Sequence, residues 1–395
     1  MNPDDPVVIV SAARTPVGWF QGALSGVSAT ELGAVAIRGA LDRAGLAADR
    51  FDTVLMGCVL TAGLRQNPAR QAAHGAGLPF DVATVTVNKL CGSGMMAIAM
   101  GHDALLAGSA RAVVAGGMES MSNAPYLLPG ARQGYRLGHA GVVDHMFHDG
   151  LEDAYEPGQL MGHFAEQTAR DYGFGRAEQD DYALMTLARA RAAVENGAFA
   201  EEIVPVSVRT RKGEAEVARD ENPLKAQPDK IPTLRPAFGR DGTITPASSS
   251  GIADGAAAVV LVRRSWAGQE GLPVFAAIRA LAVHSQAPRA FTQAPVPAIR
   301  KVLDRAGWAV GDVDLFEINE AFAVTAMVAQ RDLEIPPEKL NVNGGACALG
   351  HPIGATGARL VTTLLHALRA RGLRRGVASA CIGGGEAIAI AVERP

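Results

Sequence analysis

The chain has few cysteines and little net charge, and each shortage excludes a class of protein. Four cysteines are present and none stands at Cys-x-x-Cys spacing, which argues against a metal site and, in a chain of this size, against a disulfide framework. A net charge of −3 gives no overall attraction to nucleic acid or to acidic membranes. Any anionic ligand must therefore be held by a local patch.

Long apolar runs and targeting segments are also missing. No run reaches the length of a membrane span once its glycines and charges are counted. The first residues, Met-Asn-Pro-Asp-Asp-Pro, lack the basic and apolar regions of a signal peptide and the arginine-rich pattern of a transit peptide. We therefore expect a cytoplasmic protein that binds neither membranes nor nucleic acid.

The composition predicts a large α/β protein. The chain has 395 residues, of which 48% are hydrophobic and only 5% aromatic, and it has 45 glycines. That length can bury a sizeable core in two or three domains. Abundant glycine with few aromatics is typical of many tight turns between strands and helices.

The chain contains an internal repeat. Residues 41–47 (Leu-Asp-Arg-Ala-Gly-Leu-Ala) are echoed by residues 303–309 (Leu-Asp-Arg-Ala-Gly-Trp-Ala), and Asp52 has a counterpart in Asp314. Opening strands are predicted at 6–10 and at 273–277. Each half reads as strand, helix, strand, Gly-rich turn, helix and strand, which predicts a mostly parallel sheet covered by helices.

One long insertion interrupts the first half. The second half ends in two consecutive predicted strands, 377–381 and 387–392, whereas the matching strands of the first half, 112–117 and 256–262, lie far apart. The segment between them includes a predicted helix, 176–196, and enough apolar residues to fold. We therefore predict three units. They are residues 1–120 with 253–271, the inserted loop domain 121–252, and residues 272–395.

Cys91 is the most informative residue. It follows a strand-like run and opens a Gly-rich helix, so the positive end of the helix should favour its thiolate, and the glycines admit a substrate. The alternative is a buried cysteine at a helix start. Cys381 precedes three glycines, which predicts a thiol exposed at a sheet edge, and His351 stands in a Gly-His-Pro-x-Gly turn. Together these residues suggest thiol-based acyl transfer.

Five segments occur in an order that is known from one family. They are Asn-Lys-Leu-Cys-Gly-Ser-Gly at 88–94, Gly-Gly-Met-Glu-Ser-Met-Ser at 116–122, Asn-Glu-Ala-Phe at 319–322, Asn-Val-Asn-Gly-Gly at 341–345 leading into Gly-His-Pro-Ile-Gly-Ala-Thr-Gly at 350–357, and Cys-Ile-Gly-Gly-Gly at 381–385. Over essentially its whole length, the chain resembles the thiolase superfamily and, within it, the acetyl-CoA acetyltransferase family. The resemblance implies two similar βαβαβαββ halves in a layered α/β/α/β/α core, with a loop domain inserted in the first.

The resemblance also implies roles for the site residues. Cys91 would carry the acyl group as a thioester, His351 would take the thiol proton, and Cys381 would take the α-proton of the second substrate. Asn319 would hold a water beside His351, although an Asn before a helix can instead be its N-cap. The backbone N–H groups of Cys91 and Gly383 would form an oxyanion hole.

Substrate contacts follow from the same resemblance. Ser250 and the apolar Phe238 and Phe322 would contact the pantetheine arm of coenzyme A (CoA). Other residues that would line the substrate site are Leu160, Met161, Phe291 and Ala321. Basic candidates for the CoA phosphates are Arg209, Arg211, Lys212 and Lys225, although a basic run is usually only a solvated surface. Cys58 and Cys347 are assigned to packing.

Three departures from the family pattern concern the substrate. Leu160 stands where family members commonly have His, Phe291 stands where they have Met, and residues 245–251 read Thr-Pro-Ala-Ser-Ser-Ser-Gly instead of Thr-Ala-Gly-Asn-Ala-Ser-Gly. These changes keep the reaction type and leave the acyl preference open.

The resemblance therefore predicts an enzyme that interconverts two acetyl-CoA with acetoacetyl-CoA and CoA by a ping-pong mechanism. Its substrates would be acyl-CoA molecules, with no permanently bound cofactor, and it would assemble as a homodimer or homotetramer. Two alternatives remain. One is a degradative 3-ketoacyl-CoA thiolase for longer or branched chains, and the other is a non-catalytic lipid- or CoA-binding relative.

Overall fold

The computed structural model describes residues 5–211 and 213–395. Lys212 and the first four residues lie outside this range. The strands are β1 Val7–Arg14, β2 Gly18–Trp19, β3 Thr53–Gly57, β4 Ala83–Val87, β5 Ala112–Ser120, β6 Tyr126–Leu127, β7 Val143–Asp144, β8 Val206–Thr210, β9 Gly213–Val217, β10 Ala253–Arg263, β11 Ala276–Ser285, β12 Leu315–Ile318, β13 Arg375–Ile382 and β14 Glu386–Glu393. The helices are α1 Ala29–Ala44, α2 Pro68–Gly75, α3 Ser93–Leu106, α4 Met161–Tyr172, α5 Arg176–Glu195, α6 Asn222–Lys225, α7 Arg264–Gln269, α8 Pro295–Ala306, α9 Ala323–Asp332, α10 Ala346–Leu349 and α11 Ile353–Ala370.

The two halves of the chain build sheets of the same strand order. The first half runs β1-β10-β5-β3-β4 and the second runs β11-β14-β13-β12, and the two are joined where β1 pairs with β11. In the second half, a single parallel bridge between Phe316 and Leu340 takes the place of β4.

In the part of the chain that the structure describes, parallel strand pairs lie only at the outer ends, β3 with β4 and β5, and β12 with β13, and the other pairs of the large sheet are antiparallel. The predicted mostly parallel sheet is therefore wrong. β13 and β14 are joined by a short turn, which makes them an antiparallel hairpin, and β5 and β10 have the same antiparallel pairing in the first half.

Repeated residues have the same local role in both halves. The Asp52 carboxylate accepts two backbone N–H groups at the start of β5, at 2.7 and 3.1 Å. Asp314 accepts two at the start of β13, at 2.9 and 2.8 Å. Gly45 and Gly307 end α1 and α8 with left-handed φ angles of 69° and 70°, a conformation that glycine adopts without strain.

Helices and sheets alternate in five layers. α1 and α2 pack on the outer face of the first sheet, α8 and α9 pack on the outer face of the second, and α3 and α11 fill the space between the sheets. All residues from Ile353 to Leu368 in α11 are buried, as expected for a helix in the centre of a large core. The predicted fold class, two similar α/β halves in a layered core, is confirmed.

The segment between β5 and β10 is anchored to the first half by a buried ion-pair cluster. Arg14 of β1 donates to Glu202 at 2.5 Å and to Asp220 at 2.7 Å, and all three side chains are fully buried. Buried pairs of this kind fix geometry because breaking one leaves an uncompensated charge. The predicted helix 176–196 is α5, and Arg211 lies in the turn that follows β8.

Two further observations complete the fold. The predicted strand at 273–277 is wrong at its start, since β11 begins at Ala276. Pro273 has no N–H for a sheet ladder, and β11 first meets β1 at Ala276 and Ala277. Across the described part of the chain, no helix combines the length and apolar character that crossing a membrane requires.

Candidate active site

Cys91 lies in a tight turn before α3. The strand β4 ends at Val87, and a 3₁₀ turn spans Leu90–Gly92 before the α-helix begins. Leu90 has a left-handed φ of 46°, a strained conformation for a branched side chain that costs on the order of 1–3 kcal/mol. The Ser93 hydroxyl holds this turn by donating to the Leu90 carbonyl at 2.7 Å.

The surroundings of Cys91 do not favour its thiolate. The pKa of the thiol is raised to about 11, chiefly by burial and in smaller part by the charge of Glu119, although the backbone N–H groups of Gly383 and Cys91 oppose the shift. The expected stabilisation of the thiolate by the helix start is therefore wrong, because burial among apolar residues such as Leu60 and Ile353 outweighs it. Part of Cys91 stays exposed, so a substrate can reach it.

Cys381 is more deeply enclosed than the sequence suggested. It pairs with Ala387 of β14, and its strand lies between β12 and β14, so the predicted exposed thiol at a sheet edge is wrong. The residue is 0% exposed. Burial raises the pKa of its thiol well above the usual range, and repulsion from Cys91 adds to this effect. The two sulfurs, one from each half, are thus close enough to influence each other's charge.

His351 is held as a neutral base. Its ring Nδ1 lies 2.6 Å from Thr356 Oγ1, and that hydroxyl donates to the Pro352 carbonyl at 2.9 Å. Because the hydroxyl has one proton, we assign the ring proton to Nδ1 and a free lone pair to Nε2. Nε2 is buried without a partner among the described residues. Burial, followed by the charge of Arg359, lowers the pKa of His351 to about 3.

Asn319 carries a second set of unpartnered polar atoms. The residue is 0% exposed, and neither its side-chain oxygen nor its nitrogen has a hydrogen-bond partner within residues 5–211 and 213–395. The alternative role as an N-cap is wrong, since α9 begins at Ala323 with Phe322 at the cap position. A buried amide left unpaired costs about 1–3 kcal/mol, so its partner is a group outside the protein chain, as the water that the family resemblance implies would be.

Backbone contacts between the two halves bring these residues together. A Cβ atom added at Gly94, in the first turn of α3, would lie 2.8 Å from the backbone N of Ala358 in α11. A Cβ at Gly92 would lie 2.5 Å from Ile382 Cδ1, beside Gly383. Only glycine permits these approaches, and they bring the start of α3, which follows Cys91, against α11.

Three aromatic side chains cluster at Phe322, three positions after Asn319. The ring centroid of Phe322 is 5.8 Å from that of Phe238 and 6.3 Å from that of Phe291, in edge-to-face arrangements. The N–H of Ser250 donates to the Ala321 carbonyl at 2.9 Å. The structure therefore brings together all five of these predicted substrate contacts.

Met161 and Leu160 begin α4. Met161, Leu90 and Gly383 line a cavity of about 370 Å³. Leu160 occupies the N-cap position, and its N–H donates to His163 Nδ1 at 3.1 Å. His163, about one turn further along α4, therefore hydrogen-bonds the backbone of residue 160. Family members commonly have a histidine side chain at position 160 itself.

The basic candidates lie apart from this cluster. Arg211 is exposed in the turn between β8 and β9, and Lys225 pairs with Glu221. In the described ranges, no hydrogen bond or ion pair links either of them to the residues around Cys91. Cys58 and Cys347 are buried, as their assignment to packing predicted.

Three site residues were missed by the sequence analysis. Thr356 sets the tautomer of His351, Thr325 lies near the Cys381 thiol and opposes its raised pKa, and Glu119 accepts four hydrogen bonds near Cys91. Glu119 and Thr356 lie inside two of the family motifs, at 116–122 and 350–357. Their positions in these motifs could have identified them as site residues. Thr325 lies three residues beyond the Asn-Glu-Ala-Phe motif.

The arrangement supplies each group that acyl transfer through a cysteine needs. A partly exposed thiol is flanked by two backbone N–H donors, and a neutral histidine offers a free lone pair. A second thiol and an unpaired amide lie within the same buried region. Backbone N–H groups placed beside a nucleophile are suited to stabilise the oxyanion of a tetrahedral intermediate.

Known proteins match the chain along its whole length. The family models described as "Thiolase, N-terminal domain" and "Thiolase, C-terminal domain" match residues 7–265 and 272–394. The acetyl-CoA acetyltransferase of Cupriavidus necator is 48% identical over 390 residues, covering 98% of this chain and 99% of that protein. The Escherichia coli acetyl-CoA acetyltransferase is 49% identical over 389 residues, covering 98% of each. The crystal structure of the Bacillus anthracis acetyl-CoA acetyltransferase matches with a TM-score of 0.96 and 39% identity, over 98% of both chains.

Proposed function

The chain belongs to the thiolase family of acyltransferases, and from this premise we propose that it interconverts two acetyl-CoA with acetoacetyl-CoA and CoA. The observation that supports the proposal is a pair of thiols, one from each half, in which Cys91 raises the pKa of the Cys381 thiol. A buried neutral histidine, His351, with an unpartnered Nε2 among the described residues adds to this support. Cys91 would hold the acetyl group and Cys381 would handle the α-proton. A thioester on Cys91 is close in energy to acetyl-CoA, so the reaction stays reversible.

The first half-reaction loads Cys91. His351 Nε2 takes the thiol proton as the sulfur attacks the carbonyl carbon of acetyl-CoA, and the N–H groups of Cys91 and Gly383 stabilise the oxyanion. The carbon–sulfur bond to CoA then breaks. Because Cys381 must act next as a thiolate, its proton leaves on the departing CoA sulfur.

The second half-reaction forms the new carbon–carbon bond. Cys381 removes an α-proton from a second acetyl-CoA, and the resulting carbanion attacks the thioester carbonyl on Cys91. Protonated His351, with a water held by Asn319, stabilises the enolate oxygen of the second substrate, and His351 finally returns its proton to the Cys91 sulfur. Both thiols and the histidine end in their starting protonation states, so the cycle balances.

A thiolysis assay tests the proposal. Acetoacetyl-CoA with CoA should lose its 3-ketoacyl-CoA absorbance in the presence of the protein, and Cys91→Ala should abolish the loss. Cys347→Ala is the matched control because that thiol is buried. A panel with longer and 2-methyl-branched 3-ketoacyl-CoAs distinguishes the degradative alternative, which predicts a preference for those substrates. Absence of turnover with every substrate would contradict the proposal.

Cys381→Ala separates the two thiols. Peptide mass spectrometry after incubation with acetyl-CoA should still find an acetyl group on Cys91, while condensation falls by about 10² or more, as expected when a positioned proton-transfer group is lost. Near wild-type condensation would contradict the role of Cys381.

The remaining proposals concern the substrate arm, the assembly and the location. Ser250, Phe238 and Phe322 would contact pantetheine, and Arg211 and Lys225 would reach the CoA phosphates.

We propose a homodimer or homotetramer in the cytoplasm, with no permanently bound cofactor. The edge strand β4 supports assembly, since Val85 is 43% exposed and Phe80 is 76% exposed, and such an edge can pair with a second copy. We also propose residues 1–120 with 253–271, 121–252 and 272–395 as the three units. Light scattering would measure the assembly.

A further inference from the structure

Glu119 is a buried carboxylate that connects the two halves beside the candidate site. It is the eighth residue of β5, and it is 0% exposed. Its Oε1 accepts the backbone N–H of Leu60 at 3.1 Å and the thiol of Cys58 at 3.6 Å. Its Oε2 accepts the backbone N–H of Val59 at 3.0 Å and that of Gly354 at 2.9 Å.

These partners belong to the two parts of the site that the proposed reaction needs together, the chain around Cys91 and the start of α11 after His351. Val59 and Leu60 pack in the same apolar cluster as Cys91. Gly354 is the second residue of α11 and follows His351 by three positions, so its N–H is one of the free donors at the helix start. One carboxylate therefore links the chain around Cys91 to the start of α11, the helix that directly follows His351.

The fit at this point tolerates little displacement. A Cβ atom added at Gly57 would lie 2.7 Å from the Gly354 carbonyl oxygen, and one at Gly354 would lie 2.9 Å from Glu119 Oε2. The backbones of β3 and α11 are thus in direct contact. Loss of a hydrogen bond here would move α11, and His351 with it, relative to Cys91.

The charge of Glu119 also acts on the nucleophile. The described residues contain no lysine or arginine in an ion pair with this carboxylate, and its partners are three backbone N–H groups and one thiol. Burial raises the pKa of Glu119 to about 7, although the three N–H groups oppose the shift. Above that pH the carboxylate is ionised, and its charge raises the pKa of the Cys91 thiol.

We propose that Glu119 is a positioning residue, which sets the distance between Cys91 and His351 by binding the start of α11 and suppresses the thiolate of Cys91 in the free enzyme. This inference rests on the proposed function. The thiol proton would then leave only when His351 is in place and a substrate carbonyl is under attack, which protects the nucleophile between turnovers.

Glu119→Gln tests both parts. The amide has one acceptor oxygen in place of two, so part of the connection to α11 is lost, and we expect kcat to fall by about 10- to 100-fold because a displacement of about 1 Å can cost that much. KM for acetoacetyl-CoA should change less than threefold. Removal of the negative charge should instead make alkylation of Cys91 by iodoacetamide at pH 9 about three- to tenfold faster. Unfolding would also slow turnover and speed alkylation, so both rates are compared only for a variant whose circular dichroism and melting temperature match those of the wild type.

Two further variants complete the design. Glu119→Asp keeps the charge but shortens the reach, so turnover should fall while the alkylation rate stays within twofold of wild type. Asp52→Asn is the matched control, since Asp52 also bridges two backbone N–H groups but contacts the opposite end of β5, and it should leave both rates unchanged. If neither Glu119 variant folds, amide hydrogen exchange of the wild type still tests the bonds, because the Val59, Leu60 and Gly354 amides should be strongly protected.

The outcomes are distinct from failure of the proposed function. An inactive wild type would overturn the proposed function, whereas the alkylation and exchange measurements need no turnover. The inference is overturned if Glu119→Gln turns over within twofold of wild type, if its Cys91 reacts no faster than in wild type, or if the three amides exchange rapidly.

Discussion

The Nδ1 of His351 and the Oγ1 of Thr356 are 2.6 Å apart, and this contact determines which ring nitrogen faces the reaction. The Thr356 proton is already committed to the Pro352 carbonyl. The hydroxyl oxygen therefore accepts from Nδ1–H and leaves Nε2 as the basic atom. A second hydrogen bond of this kind commonly fixes the orientation of a reactive imidazole.

Removal of the Thr356 hydroxyl should weaken catalysis with little effect on binding. In Thr356→Val the imidazole has no acceptor for Nδ1–H, so the other tautomer becomes populated and presents a protonated Nε2 to Cys91. We expect kcat to fall about 10- to 100-fold, within the range of a general-base contribution, with KM nearly unchanged. Thr356→Ser keeps the hydroxyl and should stay within about threefold of wild type. Equal kinetics for the two variants would contradict this role.

The pKa directions at Cys91 and His351 predict how the thiol reacts with pH. The pKa of Cys91 is raised to about 11 and that of His351 is lowered to about 3, so both groups are neutral near pH 8. The thiolate fraction should then rise with pH, and alkylation of Cys91 should become about tenfold faster per pH unit between pH 8 and 10. Glu119, with a pKa raised to about 7, is mostly ionised throughout this range and adds little further change.

Mass spectrometry of the Cys91 peptide after timed iodoacetamide treatment measures this profile. Denatured protein is the control, since an ordinary cysteine with a pKa near 8.5 should level off above pH 9. A thiolate–imidazolium pair would instead give a flat profile throughout the range, and that result would rule out the neutral pair.

The fold followed from the sequence because its signals are local and repeated. Short-range patterns predicted the alternating strands and helices, the repeat that pairs Asp52 with Asp314, and the separate strand at 256–262. Each half of the chain contains these patterns independently. The ends of elements were less certain. The start of β11 depends on where it meets β1, which no local pattern records.

The electrostatics of the site could not be predicted from sequence. Glu119 and Gly354 are separated by 235 positions along the chain, so only the folded structure shows that they are joined. The helix start near Cys91 suggested a stabilised thiolate, but the sign of its pKa shift depends on burial by both halves. The depth of Cys381 likewise depends on β12 and β14, which flank its strand.

The cavity beside Gly383 should discriminate against acyl groups that end in a carboxylate. Its wall contains four acidic residues, Asp149, Glu152, Asp153 and Glu386. Asp153 is 3% exposed and its Oδ2 has no partner among the described residues, while Glu386 pairs with Lys89 at 2.6 Å. An additional anion in this cavity would be repelled. We expect kcat/KM for an ω-carboxylated 3-ketoacyl-CoA to be at least about tenfold below that of the neutral analogue of equal length.

Charge removal and salt test this explanation. Asp149→Asn should reduce the ratio of kcat/KM for the neutral substrate to that for the carboxylated one by about two- to fivefold, as expected for one partly exposed charge. Added salt should reduce the same ratio through screening. Asp49→Asn changes the net charge equally at an exposed distant position and should leave the ratio unchanged. A ratio that is insensitive to both Asp149→Asn and salt would mean that shape, not charge, excludes the carboxylate.

Phe291 should limit the length of the acyl chain. It is 2% exposed and its ring lies against Phe322, where family members commonly have the more flexible methionine. An aromatic ring is stiffer than a methionine chain, so we expect four-carbon acetoacetyl-CoA to be a good substrate, with activity extending to somewhat longer chains and falling for long ones. Leu160 opposes this limit, since an apolar wall favours each buried methylene by about 0.8 kcal/mol.

Phe291→Ala should therefore raise the relative kcat/KM for longer 3-ketoacyl-CoAs over acetoacetyl-CoA. The same change leaves a cavity in the core and should lower the free energy of unfolding by about 3–5 kcal/mol, so the ratio is measured well below the melting temperature. Phe291→Met restores the usual family residue and is the matched control for stability, because it keeps most of the buried volume. It should shift the ratio in the same direction by a smaller amount. A wild type that prefers long chains, together with an unchanged ratio in Phe291→Ala, would show that Phe291 does not bound the acyl site.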